Sequence, residues 1–260
     1  MKLLIAGAAR DIEKYWPTTQ RSLDTIFNSF PDYKCVIVES NSSDNTLSVL
    51  NKWAKDDSKR IILSLGYLNE QVRTKRIAQA RNTYLKYFKD NNLFDSYDYL
   101  LVLDLDDILN IQNTFNNQLR SCFNCPDENW DAMASNRKDK YYDIWALRSE
   151  SEILNCDFDC INIKYDQIRS IRCPHTNTIK TQKIISENNK ALQYIKDPSS
   201  LFKNIPTSTG FIPCTSAFGG MALYKTKSII DKTYNGDETC EHISFNEGLK
   251  MYINSEFISG

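Results

Sequence analysis

The sequence predicts an α/β fold in which helices flank a central, mostly parallel β-sheet. In residues 1–109, short apolar runs typical of buried strands alternate with longer stretches whose apolar residues recur every three or four positions. No linker rich in glycine, serine or proline interrupts the 260 residues, which contain only 8 glycines and 7 prolines. These observations predict a single domain over residues 1–260.

Four apolar runs in the first part are predicted as strands of the parallel sheet, because strands buried on both faces are apolar almost throughout. The runs cover residues 2–8, 34–39, 60–65 and 97–103. The first run resembles the start of a signal peptide, but Arg10 and Asp11 end it too early for a secretory segment. It is therefore predicted to be the first buried strand.

Three amphipathic stretches between these runs are predicted as the helices that parallel strands need as connections. The first begins at Pro17, a residue favoured in the first helical turn, and ends before Pro31. The second has Ser43 or Asp44 as its N-cap, and the third covers residues 69–91.

The second half is predicted to complete the same domain with shorter strands and to shape a substrate site. Asparagine, aromatic residues and cysteine become common after Leu109. The candidate elements are strands at 131–135, 142–147, 219–224 and 251–253 and a helix at 181–195.

The charge balance excludes a large basic surface. Lysine and arginine total 32 and aspartate and glutamate 33, a formal net charge of -1. Such a chain has no overall positive potential to attract nucleic acid or an anionic membrane, so an anionic ligand must be bound by individual charged or polar groups at its site. No apolar run reaches the roughly 18 residues of a membrane span. We expect a soluble, cytoplasmic protein that binds no nucleic acid.

The cysteines allow two interpretations. Cys122, Cys125, Cys156 and Cys160 have some likeness to a four-thiolate zinc site, but the second pair is more widely spaced and glycine-rich knuckles are missing. Reduced, mostly buried thiols are the favoured interpretation. The Asn41-Ser42-Ser43 sequon lies in a predicted ligand loop, which also argues against a secretory route.

An acidic segment, Asp104-Leu105-Asp106-Asp107, directly follows the fourth predicted strand. In extended geometry Asp104 and Asp106 point to the same side, as two oxygens converging on one hard cation require. Ligands of open α/β sheets bind at the carboxyl ends of the strands. The alternative is a solvated acidic turn, but adjacent carboxylates repel one another without a cation. The segment therefore predicts a metal site.

A second acidic segment, Glu39-Ser40-Asn41-Ser42-Ser43-Asp44, follows the second predicted strand and leads into a helix. A carboxylate at a strand end can accept hydrogen bonds from a ribose or a base edge. Taken alone, this loop is equally compatible with an ordinary helix N-cap.

Together the two acidic segments resemble the nucleotide-sugar-dependent glycosyltransferases of the GT-A fold, in which an Asp-x-Asp pair holds a divalent metal against the donor diphosphate. Three further segments fit that pattern: residues 78–82 resemble an Ala-Arg-Asn helix, residues 218–224 a Gly-Gly segment on the acceptor side, and residues 142–148 a segment of fungal capsule-type mannosyltransferases. This resemblance implies a nucleotide-binding half at 1–109 and an acceptor-side half at 110–260.

The resemblance also implies residue roles. Asp104 and Asp106 would hold Mn²⁺ or Mg²⁺, with Asp106 the more direct ligand, and Asp107 would support catalysis or contact the donor sugar. Arg10 and Arg81 would reach the phosphates, although Arg81 also fits a helix-surface charge. The implied donor contacts are Ala8, Ala9, Arg10, Glu39, Asn41, Asp44, Arg81, Asp104 and Leu105, and the implied acceptor-side contacts are Trp145, Gly219 and Gly220.

A late segment resembles the element that returns an acidic or histidine side chain to the site of such enzymes. Glu241 or Asp237 would be the catalytic base, and His242 a further metal ligand. The alternative is a polar surface loop. His175 is predicted to be structural.

The predicted reaction is transfer of a sugar from a UDP- or GDP-sugar to a hydroxyl of a glycan or protein, with both inverting and retaining outcomes open. One alternative is a nucleotidyltransferase that makes the sugar nucleotide. That class uses a glycine-rich phosphate loop after the first strand, where Gly7-Ala8-Ala9-Arg10 is poor in glycine. Another alternative is a non-catalytic relic of the fold that binds nucleotide or carbohydrate.

Overall fold

The fold is known from a computed structural model that describes residues 1–107, 109–152, 154, 202–237 and 239–260. The described strands are β1 (Leu3–Ala9), β2 (Tyr33–Glu39), β3 (Arg60–Ser64), β4 (Tyr99–Asp104), β5 (Ala132–Asn136), β6 (Phe211–Cys214), β7 (Met221–Lys225) and β8 (Met251–Ile258). The described helices are α1 (Trp16–Ser29), α2 (Thr46–Ala54), α3 (Arg73–Asp90), α4 (Leu93–Ser96), α5 (Phe115–Ser121), α6 (Thr226–Ile229) and α7 (Glu241–Asn246), with 3₁₀ turns at Cys122–Asn124 and Thr207–Thr209.

All eight strands form one sheet in the order β3-β2-β1-β4-β7-β5-β8-β6. Strands β1 to β4 are mutually parallel, and β5 and β8 share their direction. Strands β7 and β6 run the opposite way. The predicted α/β class with a mostly parallel sheet flanked by helices is confirmed, with antiparallel β7 inserted at the centre.

The sheet separates two apolar layers because successive side chains of a strand point to opposite faces. Leu100 and Val102 of β4 face the layer that contains α3, whereas Leu101 and Leu103 face the layer that contains α1 and α5. Asp104 continues the Leu100 and Val102 face, and its side chain therefore points toward α3.

The predicted elements of the first half are confirmed with small boundary shifts. Helix α1 begins at Trp16, and α3 begins at Arg73 rather than at residue 69. Helix α2 begins at Thr46, two residues after Asp44, whose Oδ1 accepts a hydrogen bond from the Thr46 amide at 2.9 Å.

The second half requires one correction. Residues 142–147 do not form a strand; isolated bridges at Tyr141 and Arg148 flank a turn in which the Ala146 amide donates to Asp143. The predicted strands near 131–135, 219–224 and 251–253 appear as β5, β7 and β8, the last extending to Ile258. The predicted helix at 181–195, His175, and Cys156 and Cys160 lie outside the described residues.

The described cysteines are free and buried, as the favoured interpretation requires: Cys35, Cys122, Cys125, Cys214 and Cys240. Burial raises the pKa of the thiols of Cys35 and Cys122 to about 12, so both are held in the neutral form. Within the described part of the chain, every helix is too short or too polar to cross a bilayer.

Candidate functional site

A cluster of charged side chains lies at the carboxyl end of β4, where the strand order changes from β1 to β4. Ligands of open α/β sheets bind at such switch points. The Asp104 amide donates to the Gly220 carbonyl at 2.9 Å, so the turn before β7 is fixed beside the acidic segment. The structure therefore brings Asp104 and the Gly219-Gly220 turn, both predicted site residues, together.

Arg81 of α3 is the central cation of this cluster and is only 3% exposed. Its Nη2 donates to Asp104 Oδ1 at 3.2 Å, and its Nε lies 3.3 Å from Glu241 Oε1. The guanidinium also lies over the rings of Phe218 and Tyr234, at 5.1 and 5.5 Å from their centroids. Arg81 is thus a buried bridge between β4 and α7, and the helix-surface alternative is wrong.

Asp104 is surrounded by other carboxyl groups. Burial raises its pKa to about 7; Arg81 opposes the shift, and Asp106, Asp143 and Glu241 add to it. About 30% of the Asp104 side chain still faces solvent. The four carboxyl groups of this cluster therefore outnumber the single positive charge of Arg81.

The loop before α7 is tied to α3, and this attachment brings Glu241 to Arg81. Asn82 donates from Nδ2 to the Tyr234 carbonyl at 2.9 Å, and its Oδ1 accepts from the Tyr234 amide at 2.8 Å. Thr74 Oγ1 donates to the Gly236 carbonyl at 2.6 Å. A Cβ at Gly236 would lie 2.3 Å from the Thr74 backbone, so only glycine permits this close approach. Adjacent residues of α3, Arg81 and Asn82, therefore position the late segment.

His242 is 3% exposed and lies between aromatic rings. Its ring stacks on Phe218 with centroids 4.0 Å apart and meets Tyr234 edge-on. Neither ring nitrogen has a hydrogen-bond partner among the described residues. Burial, and then the charge of Arg81, hold the pKa of His242 well below its ordinary value. The imidazole is neutral, and Glu241 and His242 do not form the surface loop considered as an alternative.

Asp143 belongs to the same cluster, although the sequence did not single it out. Its Oδ2 accepts from the Gly219 amide and its Oδ1 from the Ala146 amide, both at 3.3 Å. Burial raises the pKa of Asp143, against the lowering effect of these two amides. The residues 142–148 were noted for a resemblance, but only the turn seen in the structure directs Asp143 toward the cluster. Trp145 in this turn is partly buried against the core.

The Gly219-Gly220 turn depends on the conformation of Gly219, whose φ is +68°. A Cβ there would lie 2.4 Å from the Ser135 carbonyl oxygen, so a side chain would displace β5. The Gly219 carbonyl accepts hydrogen bonds from Ser135 Oγ at 2.9 Å and Ser259 Oγ at 2.7 Å. The turn is thus a rigid wall of the site.

The loops that follow β1 and β2 are joined by hydrogen bonds. Asp11 Oδ1 accepts from the Ser43 amide at 2.7 Å, and Asp44 Oδ2 accepts from the Glu13 amide at 3.1 Å. They border an open groove of about 600 Å³ that is lined by Asp11, Glu13, Lys14, Ser43 and Asp44. The groove lies at the carboxyl ends of the strands, next to the predicted donor site.

Glu39 and Asn41, both predicted donor contacts, hold the loops in this structure. Glu39 is 3% exposed; its Oε1 accepts from the Ser42 amide at 3.0 Å and its Oε2 from Ser64 Oγ at 2.8 Å. Asn41 donates to and accepts from the backbone of Leu68 at 3.0 and 3.1 Å. Donor contacts by these side chains stay a prediction.

Several predicted site residues lie apart from the Arg81 cluster. Asp237 is exposed and pairs with Lys75 at 2.7 Å, and Arg10 pairs with Asp11 at 3.3 Å. Leu105 is buried on the opposite face of the sheet, where it covers Gly7. The remaining predicted residues lie near the strand ends: Ala8 pairs with Asp104 across β1 and β4, Ala9 is buried in β1, and Asp107 is exposed after β4.

The predicted metal site can be tested against the donor set. Mg²⁺ and Mn²⁺ prefer oxygen ligands and are commonly held by one or two carboxylates together with substrate phosphates. Asp104 and Asp106 fit this arrangement. Burial is the main cause of the raised pKa of Asp104, and Asp106, Asp143 and Glu241 add to it, so a divalent cation would balance these neighbouring carboxyl groups. No group of three or more His, Cys, Asp or Glu side chains with metal-binding geometry occurs in the described ranges, so His242 is not in a preformed site with both aspartates.

Comparison with known proteins agrees with this architecture. Residues 13–120 match the model of the family described as Glycosyl transferase family 2. The matched residues include the end of the loop after β1, helices α1 to α4, the acidic segment after β4 and most of α5. No curated protein matches the chain.

Two solved structures illustrate the structural likeness. The mannosyltransferase PcManGT from Pyrobaculum calidifontis, solved with GDP-Man and Mn²⁺, has a TM-score of 0.50 and 13% identity, covering 99% of this chain and 55% of its own. TarS residues 1–349 from S. aureus have a TM-score of 0.49 and 15% identity, covering 98% of this chain and 58% of theirs. The chain thus spans just over half the length of either structure. The family match, together with the fold shared with PcManGT, confirms the resemblance to GT-A fold glycosyltransferases.

Proposed function

We propose that this chain, a GT-A fold glycosyltransferase by its fold and its family 2 match, transfers a hexose from a nucleoside-diphosphate sugar to a hydroxyl group with the help of Mn²⁺ or Mg²⁺. The acceptor is proposed to be a glycan or a protein. A cytoplasmic location is part of the proposal, because the described cysteines are free and buried, as suits a reducing compartment.

The observation that carries this proposal is the buried Arg81 bridge at the carboxyl end of β4. Arg81 Nη2 donates to Asp104, and its Nε lies 3.3 Å from Glu241 Oε1 as an ion pair; the buried Nε and Nη1 both lack a hydrogen-bond partner among the described residues. A buried donor without a partner costs free energy that an anionic ligand would recover. The fold and the family match favour the diphosphate of a sugar nucleotide as this anionic ligand.

Asp104 and Asp106 would hold the divalent cation, which when bound supplies positive charge to the leaving diphosphate. PcManGT, which shares the fold, holds GDP-Man and Mn²⁺, and this motivates testing both. Arg81 adds a fixed positive charge that needs no reorganisation during the reaction. The Gly219 amide donates to Asp143 Oδ2 at 3.3 Å, so the Gly219-Gly220 turn and Asp143 border the site together.

Glu241 is the proposed proton acceptor if the sugar is transferred with inversion. Its Oε1 lies 3.3 Å from Arg81 Nε, within the charged cluster at the end of β4, and a carboxylate at that position can act as a general base toward a hydroxyl. Asp237 is less suited, because it is exposed and paired with Lys75 outside the cluster.

The proposal is tested with the purified chain by thermal shift and by hydrolysis of the donor in the absence of acceptor. We expect a UDP- or GDP-sugar to raise the melting temperature only with Mn²⁺ or Mg²⁺, and the same donor to be hydrolysed slowly. Asp106→Ala should lower the hydrolysis rate on the order of 100-fold or more, because the variant loses a ligand for the charge that develops on the diphosphate.

Asp231→Ala is the matched control, since Asp231 is an exposed carboxylate that pairs with Lys89 on the surface. If no sugar nucleotide stabilises the protein and Asp106→Ala changes nothing, the glycosyltransferase proposal is wrong. Binding without any hydrolysis or transfer would favour the non-catalytic relic. Release of pyrophosphate from a nucleoside triphosphate and a sugar 1-phosphate would instead identify a nucleotidyltransferase.

A further inference from the structure

Asp143 is a carboxylate of the charged cluster to which the proposed reaction assigns no role. Asp104 is proposed to hold the cation, Arg81 to bind the phosphates and Glu241 to accept the proton. The charges of Glu241 and Arg81 both reach the carboxyl group of Asp143. Burial raises the pKa of Asp104, and Asp143 adds to that shift. A carboxylate in the middle of this cluster therefore needs an explanation of its own.

Backbone amides hold the Asp143 carboxylate in place. Its Oδ2 accepts from the Gly219 amide and its Oδ1 from the Ala146 amide, both at 3.3 Å. The turn that carries Asp143 is attached to the same segment at a second point, where the Phe218 amide donates to the Tyr141 hydroxyl at 3.1 Å. The position of this carboxylate is therefore set by the backbone before any ligand binds.

The Asp143 carboxylate keeps capacity for a ligand. Each carboxylate oxygen can accept two hydrogen bonds, and the two amides use one site on each oxygen. Asp143 is half-buried, whereas Arg81 and Glu241 are almost fully buried. A ligand that enters the cluster can therefore reach Asp143 directly.

The location of Asp143 fits that of the transferred sugar. In the proposed reaction the anomeric carbon lies between the diphosphate at Asp104 and the acceptor hydroxyl at Glu241. The rest of the hexose ring must then extend beside these two groups. The Asp104 amide donates to the Gly220 carbonyl at 2.9 Å. The neighbouring Gly219 amide donates to Asp143, so the two carboxylates lie beside one turn that borders this space.

The chemistry beside this turn suits hydroxyl groups. A hexose offers several hydroxyl donors and no charge, and a carboxylate is a strong acceptor for them. Burial raises the pKa of Tyr142, and the aspartates of the cluster add to that effect, so a neutral phenol that can donate and accept lies near them. A second anion would be repelled here, whereas a neutral polyol would not.

We propose that Asp143 binds hydroxyl groups of the transferred hexose and thereby selects the donor sugar. This inference rests on the proposed function, because it assumes a sugar nucleotide with its diphosphate at the end of β4. It assigns recognition of the sugar to the connection between β5 and β6, beyond residues 13–120 that match the family model.

The test measures hydrolysis of sugar nucleotides and binding of UDP and GDP, each with Mn²⁺, on the full chain. In Asp143→Ala, kcat/KM for hydrolysis of the preferred sugar nucleotide should fall by about 10- to 150-fold, the usual effect of losing one hydrogen bond to a charged group. Affinity for the nucleoside diphosphate, which lacks the hexose, should not change. Asp143→Asn keeps an acceptor oxygen and should show a smaller loss.

Deoxy analogues of the preferred donor identify the contact. The analogue that lacks the bound hydroxyl should be hydrolysed equally well by the wild type and by Asp143→Ala, because the interaction is absent from both. Analogues that lack other hydroxyls should keep the difference between the two proteins. A purely structural role of Asp143 would instead reduce hydrolysis of every analogue by the same factor.

Asp139→Ala is the matched control, because Asp139 is an exposed aspartate of the same connection, and its kinetics should equal those of the wild type. If Asp143→Ala does not fold, Asp143→Asn takes its place in the comparison. An equal loss for every analogue, weaker binding of the nucleoside diphosphate, or unchanged hydrolysis would overturn the inference. If the wild type neither binds nor hydrolyses any sugar nucleotide, the proposed function itself fails.

Discussion

Two groups of carboxylates occupy the same edge of the sheet but have opposite electrostatic character. At the ends of β1 and β2, Asp11 is partly exposed and Asp44 is exposed, and both accept hydrogen bonds from backbone amides of the facing loop. At the end of β4, Asp104 and Asp143 are crowded around a buried arginine. Similar side chains at neighbouring strand ends thus perform different tasks.

The pKa shifts separate the two groups. The Ser43 amide lowers the pKa of Asp11. Burial is the largest single effect on Asp44 and would raise its pKa, but the hydrogen bonds from Thr46 and Glu13 together lower it. Burial raises the pKa of Asp104 and of Asp143. Carboxylates stabilised in the charged form hold loops together, whereas carboxylates that the fold makes costly to ionise are candidates for ligand binding.

Arg81→Met gives the largest expected effect and tests whether the second group depends on its single buried cation. The substitution leaves Asp104 and Glu241 without their partner, and loss of one member of a buried ion pair typically costs about 3–5 kcal/mol. We expect the free energy of unfolding, measured by urea titration, to fall by that amount.

Lys86→Ala on the same helix provides the control, since the Lys86 and Asp90 side chains are 75% and 54% exposed. Its free energy of unfolding should stay within about 0.5 kcal/mol of wild type. A loss below about 1 kcal/mol in Arg81→Met would mean that the buried cluster contributes little to the fold.

His242→Phe tests the electrostatics of the cluster through pH. The folded protein keeps His242 neutral, whereas the unfolded chain protonates it near its ordinary pKa of 6.5, so the free energy of unfolding of the wild type should fall as the pH drops below that value. Phenylalanine preserves the stack on Phe218 and cannot take up a proton.

The free energies of unfolding of the wild type and of His242→Phe are measured at each pH with a metal chelator present, and their difference is compared. Asp104 changes the free energy of unfolding with pH in the opposite direction. Its raised pKa stabilises the folded form at low pH, and that contribution is lost as the pH rises through about 7. Asp104 is common to both proteins, so His242→Phe should gain stability relative to wild type between pH 8 and pH 5. A difference that does not change with pH would show that His242 is not held neutral.

Asp44→Ala should have the smallest effect and examines the first group of carboxylates. It removes the acceptors of the Thr46 and Glu13 amides, and we expect a loss of about 1 kcal/mol in the free energy of unfolding. Nucleotide affinity, measured by calorimetry, should change little. Weaker nucleotide binding at unchanged stability would support the predicted donor contact of Asp44 and contradict the distinction between the two groups.

The strands of the first half could be predicted because buried parallel strands are apolar throughout and end in polar residues. The direction and position of β7 could not, since its apolar residues fit either direction of a strand. Strand β6 could not be predicted either, because Pro213 interrupts the apolar pattern of this four-residue strand.

The candidate site was predicted in part. Asp104 and Asp106 follow a strand directly, so local spacing sufficed. The burial of Arg81 depends on Glu241 and Asp104, which are remote from it in sequence, and Asp143 depends on a turn that had the pattern of a strand. Pairing between distant segments leaves no local signal, and therefore these contacts required the structure.

The central position of β7 has a consequence for how the protein folds. Strand β7 pairs with β4, and α7 meets α3, so segments far apart in the sequence must come together before the site exists. Closing such long loops is entropically costly and slows folding. We expect the β1–β4 region to acquire structure first, while Arg81 remains solvated, and the charged cluster to assemble in the last step. During synthesis, ligand binding would then begin only after the C-terminal strands have been made.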